Sequence, residues 1–284
     1  MKRLVKAVPI FSLLATAALA AGSSPVAVTG YNFDGIVERT AAPPYSGAAQ
    51  SLDLSNEALF EIGLPGATAG GLPQGGLFSF TANSNTYAFQ LAPYGGSNLL
   101  RVNPTGTLTL TSPGKFATLA VLGFTTQNNS GGGGVEMVGD ATLNFSDCSS
   151  SLYSHAIDLS DWFAVSPLNP NVATGAIGGL VNLTSGTAAG AFETASGGPK
   201  FYVSVLTLST ADAGKNLTSI TIGNFPFGGN TFQFIMGVGG TNPVTPPPAT
   251  VPALSDWALA ALGVLLVAVG VAALPRFAGS TARS

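Results

Sequence analysis

Apolar and polar positions alternate in short runs along most of this 284-residue chain, and two terminal stretches break the rule by being apolar throughout. Thr107 to Thr111 reads TLTLT, threonine outward and leucine inward, the period of a half-buried strand. In Lys200 to Leu208, KFYVSVLTL, the same period puts Phe201, Val203 and Val205 on one face. Phe116 to Phe124, FATLAVLGF, is more continuously apolar, as expected near the centre of a sandwich. Further strands are predicted within Val26–Val37, Gly76–Phe80, Tyr87–Leu91, Asn98–Val102, Val135–Phe145, Tyr153–Leu159, Asn216–Ile222 and Thr231–Val238. Weaker strand patterns fall in Gly175–Thr184 and Gly190–Thr194. Turn chemistry separates them at Ala82–Asn85, Asn103-Pro104 and Asp212–Gly214. Gly63 to Gly76, with six glycines and two prolines, is a surface loop. Ser51 to Ile62 alone has some helical periodicity, and it reads equally as a strand with a short turn. Many strands without a long helix predict an all-β fold, an antiparallel β-sandwich of jelly-roll type over residues 21–240.

The two exceptional stretches concern address rather than fold. Lys2, Arg3 and Lys6 precede a short apolar core, Val8 to Ala20, which closes on the small-x-small pattern Ala18-Leu19-Ala20. That is the layout of a secretory signal peptide over 1–20. At the other end, Ala258 to Leu274 contains no charged residue. With Trp257 in front, a helix of about 1.5 Å rise per residue would cover roughly 27 Å, close to the thickness of a bilayer's hydrocarbon. A buried core helix normally keeps a polar face, and this run has none. One transmembrane helix is therefore expected over about 257–274. Trp257 suits the headgroup level, and Arg276 and Arg283 suit the cytoplasmic side. Thr241 to Thr250, TNPVTPPPAT, forms an extended proline-rich linker before the 251–284 segment.

The residues around this span carry a family resemblance. Val251-Pro252-Ala253-Leu254, then Trp257, the apolar run and Arg276 resemble the bacterial IPTL-CTERM sorting signal. Val251 stands where that signal has Ile, Ala253 where it has Thr, and Ala258 where Gly usually follows Trp. The resemblance covers about the last tenth of the chain. It implies a Gram-negative envelope protein, anchored in the inner membrane in transit, then handed to an exosortase- or rhomboid-like processing protease and sent to the cell surface or extracellular matrix. A second resemblance spans much of the exported part. Tyr94 with Asn98-Leu99-Leu100, then TLTL, FATLAVL, Asp161-Trp162-Phe163 and FYVSV are similar to jelly-roll domains attached to bacterial surface proteins and some glycosidases, where they are non-catalytic.

Composition narrows the chemistry. With 37 Gly, 19 Pro and 8% charged residues, the chain suits short strands and tight turns. Between residues 23 and 250, five basic side chains (Arg39, Arg101, Lys115, Lys200, Lys215) face twelve acidic ones, and no basic patch exists. Nucleic acid is excluded as an expected partner. Cys148 is the only cysteine, so no internal disulfide is available and the fold rests on its buried core.

Catalytic candidates are few. His155 is the only histidine; in a regular strand Asp158, three residues on, would point to the opposite face. Cys148 is expected to be a partly buried, inert thiol. Asp140, Asp147, Asp158 and Asp161 cluster in sequence and are the carboxylates a glycosidase would have to pair. Asp34, Asp147 or Asp161, with backbone carbonyls, would be the ligands of a structural calcium ion, although no D-x-D-x-D-G loop occurs and no other metal or cofactor is expected. Trp162 beside Asp161 is the candidate contact for a sugar ring, with a core aromatic as the alternative. The expected function is thus a non-enzymatic, exported surface protein with a structural, adhesive or weakly polysaccharide-binding role; the alternative is a secreted glycoside or polysaccharide hydrolase.

Overall fold

The computed structural model describes residues 23–67, 70–82, 85–126, 137–163, 172–173, 179–184, 199–226 and 231–242. The expected signal peptide over 1–20, most of the expected proline-rich linker, the strand pattern at Gly190–Thr194 and the whole 251–284 segment lie outside the described residues. Among the described residues no helix is long and apolar enough to cross a membrane.

The described fold is all-β and built mainly of antiparallel sheets. A six-stranded sheet runs β1 (Ser24–Val26), β16 (Phe232–Thr241), β9 (Thr118–Thr126), β14 (Phe201–Thr207), β12 (Val172–Ala173), with β7 (Leu100–Val102) also pairing with β16. A five-stranded sheet runs β11 (Ser150–Leu159), β10 (Met137–Phe145), β15 (Leu217–Gly223), β8 (Thr105–Gly114), β2 (Val28–Thr29). The long strands pair in nested fashion: β7 with β16, β8 with β15, β9 with β14, β10 with β11. Cross-pairing of β16 with β9 and of β15 with β10 then joins these pairs within each sheet. Hairpin β5 (Leu77–Ala82) and β6 (Asn85–Gln90) packs on the six-stranded sheet. A small sheet of β13 (Val181–Asn182), β4 (Glu57–Phe60) and β3 (Ile36–Val37) stands apart, with β3 and β4 parallel.

Strand patterns follow from which faces are covered. In β8, Thr107 and Thr109 are exposed while Leu108 and Leu110 are buried, as alternation predicts for an outer layer. In β10 every second residue is buried. β9 and β16 are buried along almost their whole length, because one face of their sheet meets the five-stranded sheet and the other meets the hairpin. Two glycines allow the second contact: a Cβ at Gly239 would lie 2.7 Å from the Ala88 carbonyl oxygen, and one at Gly237 would touch Phe89 Cβ at 3.4 Å. On β14, Phe201 meets Phe78 of the hairpin with ring centroids 6.3 Å apart. Val205, expected on the same inward face, is 37% exposed: the hairpin ring meets the start of β14, and Val205 lies four residues further along it. Ser51 to Ile62 forms a turn and then β4, not a helix. Asp53 Oδ1 accepts from the backbone N–H groups of Ser55 (2.8 Å) and Glu57 (3.1 Å), which fixes the turn ahead of the strand.

A one-turn helix, α1 (Thr210–Ala213), connects β14 to β15 and is tied to β11 by Asp212. Ser209 caps it, accepting from the Asp212 N–H at 3.2 Å. The Asp212 carboxylate accepts from Ser151 Oγ (3.0 Å) and Tyr153 OH (2.9 Å), with Lys215 Nζ at 3.6 Å. Burial alone would raise its pKa; the hydroxyl donors and Lys215 outweigh burial and hold the carboxyl below the usual aspartate value. Asp212→Ala should lower unfolding free energy by about 2–3 kcal/mol, the scale of charge-assisted hydrogen bonds left unmade. A carboxyl with a depressed native pKa contributes stability that is complete above its unfolded value of about 3.9 and is lost as pH falls through the native one. Urea unfolding of wild type and Asp212→Ala should therefore give a gap at pH 7 that shrinks by pH 3; an equal gap at both would remove the carboxylate from the account.

Candidate functional site

Local donors hold three of the four clustered carboxylates, Asp140, Asp147 and Asp161, where they stand. Asp140 sits where β10 slips register against β11, Gly139 pairing with Ile157 but Ala141 with Tyr153. Its Oδ1 accepts from the His155 N–H at 2.8 Å and its Oδ2 from Asn224 Nδ2 at 2.8 Å. Both partners adopt left-handed backbone, with φ of 54° and 57°. The carboxylate is thus the tie that holds two bends of the chain, and the Asn224 amide, followed by the His155 N–H, lowers its pKa. His155 accordingly lies in a bulge, not in the regular strand expected, and Asp140 engages its backbone.

Asp147 accepts from Ser149 through its Oγ (2.6 Å) and its N–H (3.0 Å), a turn-forming arrangement that lowers its pKa. In the same turn Cys148 has φ of 64° and is exposed, which corrects the expectation of a partly buried thiol. The tight reversal, closed by Cys148 N–H to the Phe145 carbonyl at 3.1 Å, leaves its side chain no room in the core. Asp158 lies on β11, its backbone N–H and carbonyl both engaged by Ser204 Oγ at 2.8 and 3.0 Å. Asp161 Oδ1 accepts from the Phe163 N–H at 2.9 Å, and its carbonyl from Tyr202 OH at 2.8 Å.

Trp162 is a core residue. It is 2% exposed and stacks on Phe124 with centroids 5.5 Å apart and planes 6° from parallel. Phe163 meets it edge-on at 5.4 Å. Its backbone is held by the Thr125 carbonyl (2.9 Å) and the Lys200 N–H (2.8 Å). At 2% exposure the indole offers no face to a sugar, so of its two expected roles Trp162 takes that of a core aromatic. Each of the expected calcium ligands has a protein partner. Asp34 Oδ1 accepts from Asn98 Nδ2 at 2.8 Å, far along the chain from Asp147 and Asp161 with their own turn partners. Among the described residues no group of three or more His, Cys, Asp or Glu side chains is placed to hold a metal ion.

Two surface depressions involve other residues. One, of about 260 Å³, is lined by Glu38, Thr40, Glu61, Gln90 and Tyr94 over a floor of glycines. Glu61 accepts from the Arg39 N–H at 3.0 Å and faces Arg39 Nε at 3.7 Å. Tyr94 OH donates to the Pro73 carbonyl at 2.9 Å, and burial, then the Glu61 charge, pushes its pKa up. The other, of about 350 Å³, is lined by Asn32, Phe33, Gln50, Arg101 and Asn103. Arg101 sits over two rings, 4.2 Å from the Phe232 centroid and 5.6 Å from Phe33.

No family model, curated protein or solved structure matches this chain.

The sequence points to Trp162 beside Asp161 because an aromatic ring can stack on a sugar. It marks Arg101 only as one of five basic residues. The available signal was weak: a single cation within a strand of an acidic domain, followed by Asn103.

Proposed function

We propose that this chain is an exported, surface-sorted protein without enzymatic activity, whose β domain has a structural, adhesive or weakly polysaccharide-binding role in the envelope or extracellular matrix. The signal peptide delivers it, the helix at about 257–274 anchors it in transit, and an exosortase- or rhomboid-like protease acts at Val251, Pro252, Ala253, Leu254 and Trp257, with Arg276 on the cytoplasmic side. The domain is a jelly roll on this reading: a nested set of strand pairs, β7:β16 down to β10:β11, is what a long hairpin produces when it rolls into two facing sheets. The observation that carries the non-enzymatic reading is the local engagement of Asp140, Asp147 and Asp161 by backbone and turn donors. A glycoside hydrolase needs two carboxyl groups about 5–9.5 Å apart, facing across the sugar.

Intact Gram-negative cells making the protein should yield it to a membrane-impermeant amine reagent, through the exposed Lys115. The purified chain should release no reducing ends from polysaccharides. Labelling only after lysis would overturn the surface assignment. Release of reducing ends that is abolished by Asp140→Asn or Asp161→Asn would establish the hydrolase instead.

A further inference from the structure

The depression at Arg101 has the chemistry of a ligand site. Arg39 and Lys215 face carboxylates at 3.7 and 3.6 Å, whereas among the described residues the Arg101 guanidinium makes no hydrogen bond or ion pair. It is held by packing. The Phe232 ring lies 4.2 Å away and the Phe33 ring 5.6 Å away. Asn32 fixes the backbone behind it from both sides, its Nδ2 donating to the Arg101 carbonyl (3.1 Å) and its Oδ1 accepting from the Arg101 N–H (2.7 Å). A guanidinium whose faces rest on rings still presents its N–H edge, where all five donors lie in one plane. Much of the side chain's rotamer freedom is already gone before a ligand arrives.

The rest of the lining decides the ligand class. Gln50 and Asn103 are exposed carboxamides, and each carboxamide both donates and accepts, as paired sugar hydroxyls require. The guanidinium edge matches a planar carboxylate through two parallel hydrogen bonds. The depression is open and shallow, suited to a polymer passing over it. With twelve acidic side chains against five basic ones between residues 23 and 250, the domain has no general attraction for anions, so recognition has to be directional. The geometry points to a binding site for a uronate-bearing polysaccharide, its carboxylate on Arg101 and its ring hydroxyls on Gln50 and Asn103. This rests on the polysaccharide-binding part of the proposed function, and gives it a place and a ligand class.

The test is affinity electrophoresis of the full-length chain in mild detergent, through gels with and without alginate, a linear polyuronate. Wild type should be retarded by alginate and not by carboxyl-reduced alginate. Arg101→Gln should weaken retardation about tenfold or more, since a charge-assisted pair is lost. Gln50→Glu leaves Arg101 packed on its rings but places an acid beside it, and should weaken retardation similarly. Lys115→Gln, the same charge change at an exposed site elsewhere, should behave as wild type. Alginate retardation that is absent in wild type, or unchanged in both Arg101→Gln and Gln50→Glu, overturns the site. Equal retardation by dextran sulfate or by polyglutamate overturns the uronate assignment in favour of a general anion or a protein partner. Retention on a neutral glucan that survives Arg101→Gln would leave polysaccharide binding standing without this site, and retention on no polysaccharide would remove both.

Discussion

Trp162→Ala is expected to lower the unfolding free energy by about 3–5 kcal/mol, the range for deleting a large aromatic from a packed core. Domains of this kind have about 5–15 kcal/mol in total, so from about a fifth to all of the stability is at stake. The ring lies flat against Phe124, and Phe124 also meets Phe201 and Phe234, each at 5.4 Å. Removing the indole opens a void beside three strands of the central sheet, β9, β14 and β16. Trp162→Phe keeps part of the stack and should cost less. Urea denaturation of the three proteins measures the effect. A Trp162→Ala protein as stable as wild type but impaired in polysaccharide retention would return the residue to the ligand-contact role that its burial argues against.

Val267→Arg is expected to move the protein from the membrane fraction to the soluble one. The substitution places a charge near the middle of the apolar run, at about 2.5–3.5 kcal/mol on insertion scales, or roughly a hundredfold in partition. On the proposed reading the export signal is unchanged, so the β domain should appear free in the periplasm. Fractionating wild type and variant decides the matter: identical partition means that this run is no anchor, and the sorting proposal falls with it. A charge-neutral control, Val267→Leu, should remain with the membrane.

Much of the strand layout was legible because covering one face of a strand writes itself into alternate residues. TLTLT predicts β8 with its exposed threonines, and FATLAVLGF predicts a strand buried on both sides, which β9 is. Asp147 and its neighbours read as a turn, and they form one through Ser149. Patterns fail where a side chain's surroundings come from afar. Val205 reads as inward, yet it lies outside the hairpin's cover. Asp161-Trp162 reads either as a sugar contact or as a core aromatic, and Phe124 and Phe163, closing over the indole, make it the latter. His155 reads as a strand residue, yet Asp140 and the bulge set its backbone.

By itself the sequence determined the all-β class, most strand positions, the acidic balance and the two apolar termini, since each of these depends on residues within one short window. Tertiary structure alone decided which carboxylates meet, which aromatics are covered, and where a cation stays without a carboxylate partner. Asn32, Gln50, Arg101 and Asn103 come from separate stretches and share one depression because β7 pairs with β16 while the chain around Phe33 crosses beside it. Hydrophobic burial acts on each strand locally, whereas a site is made by long-range pairing, which no local pattern records.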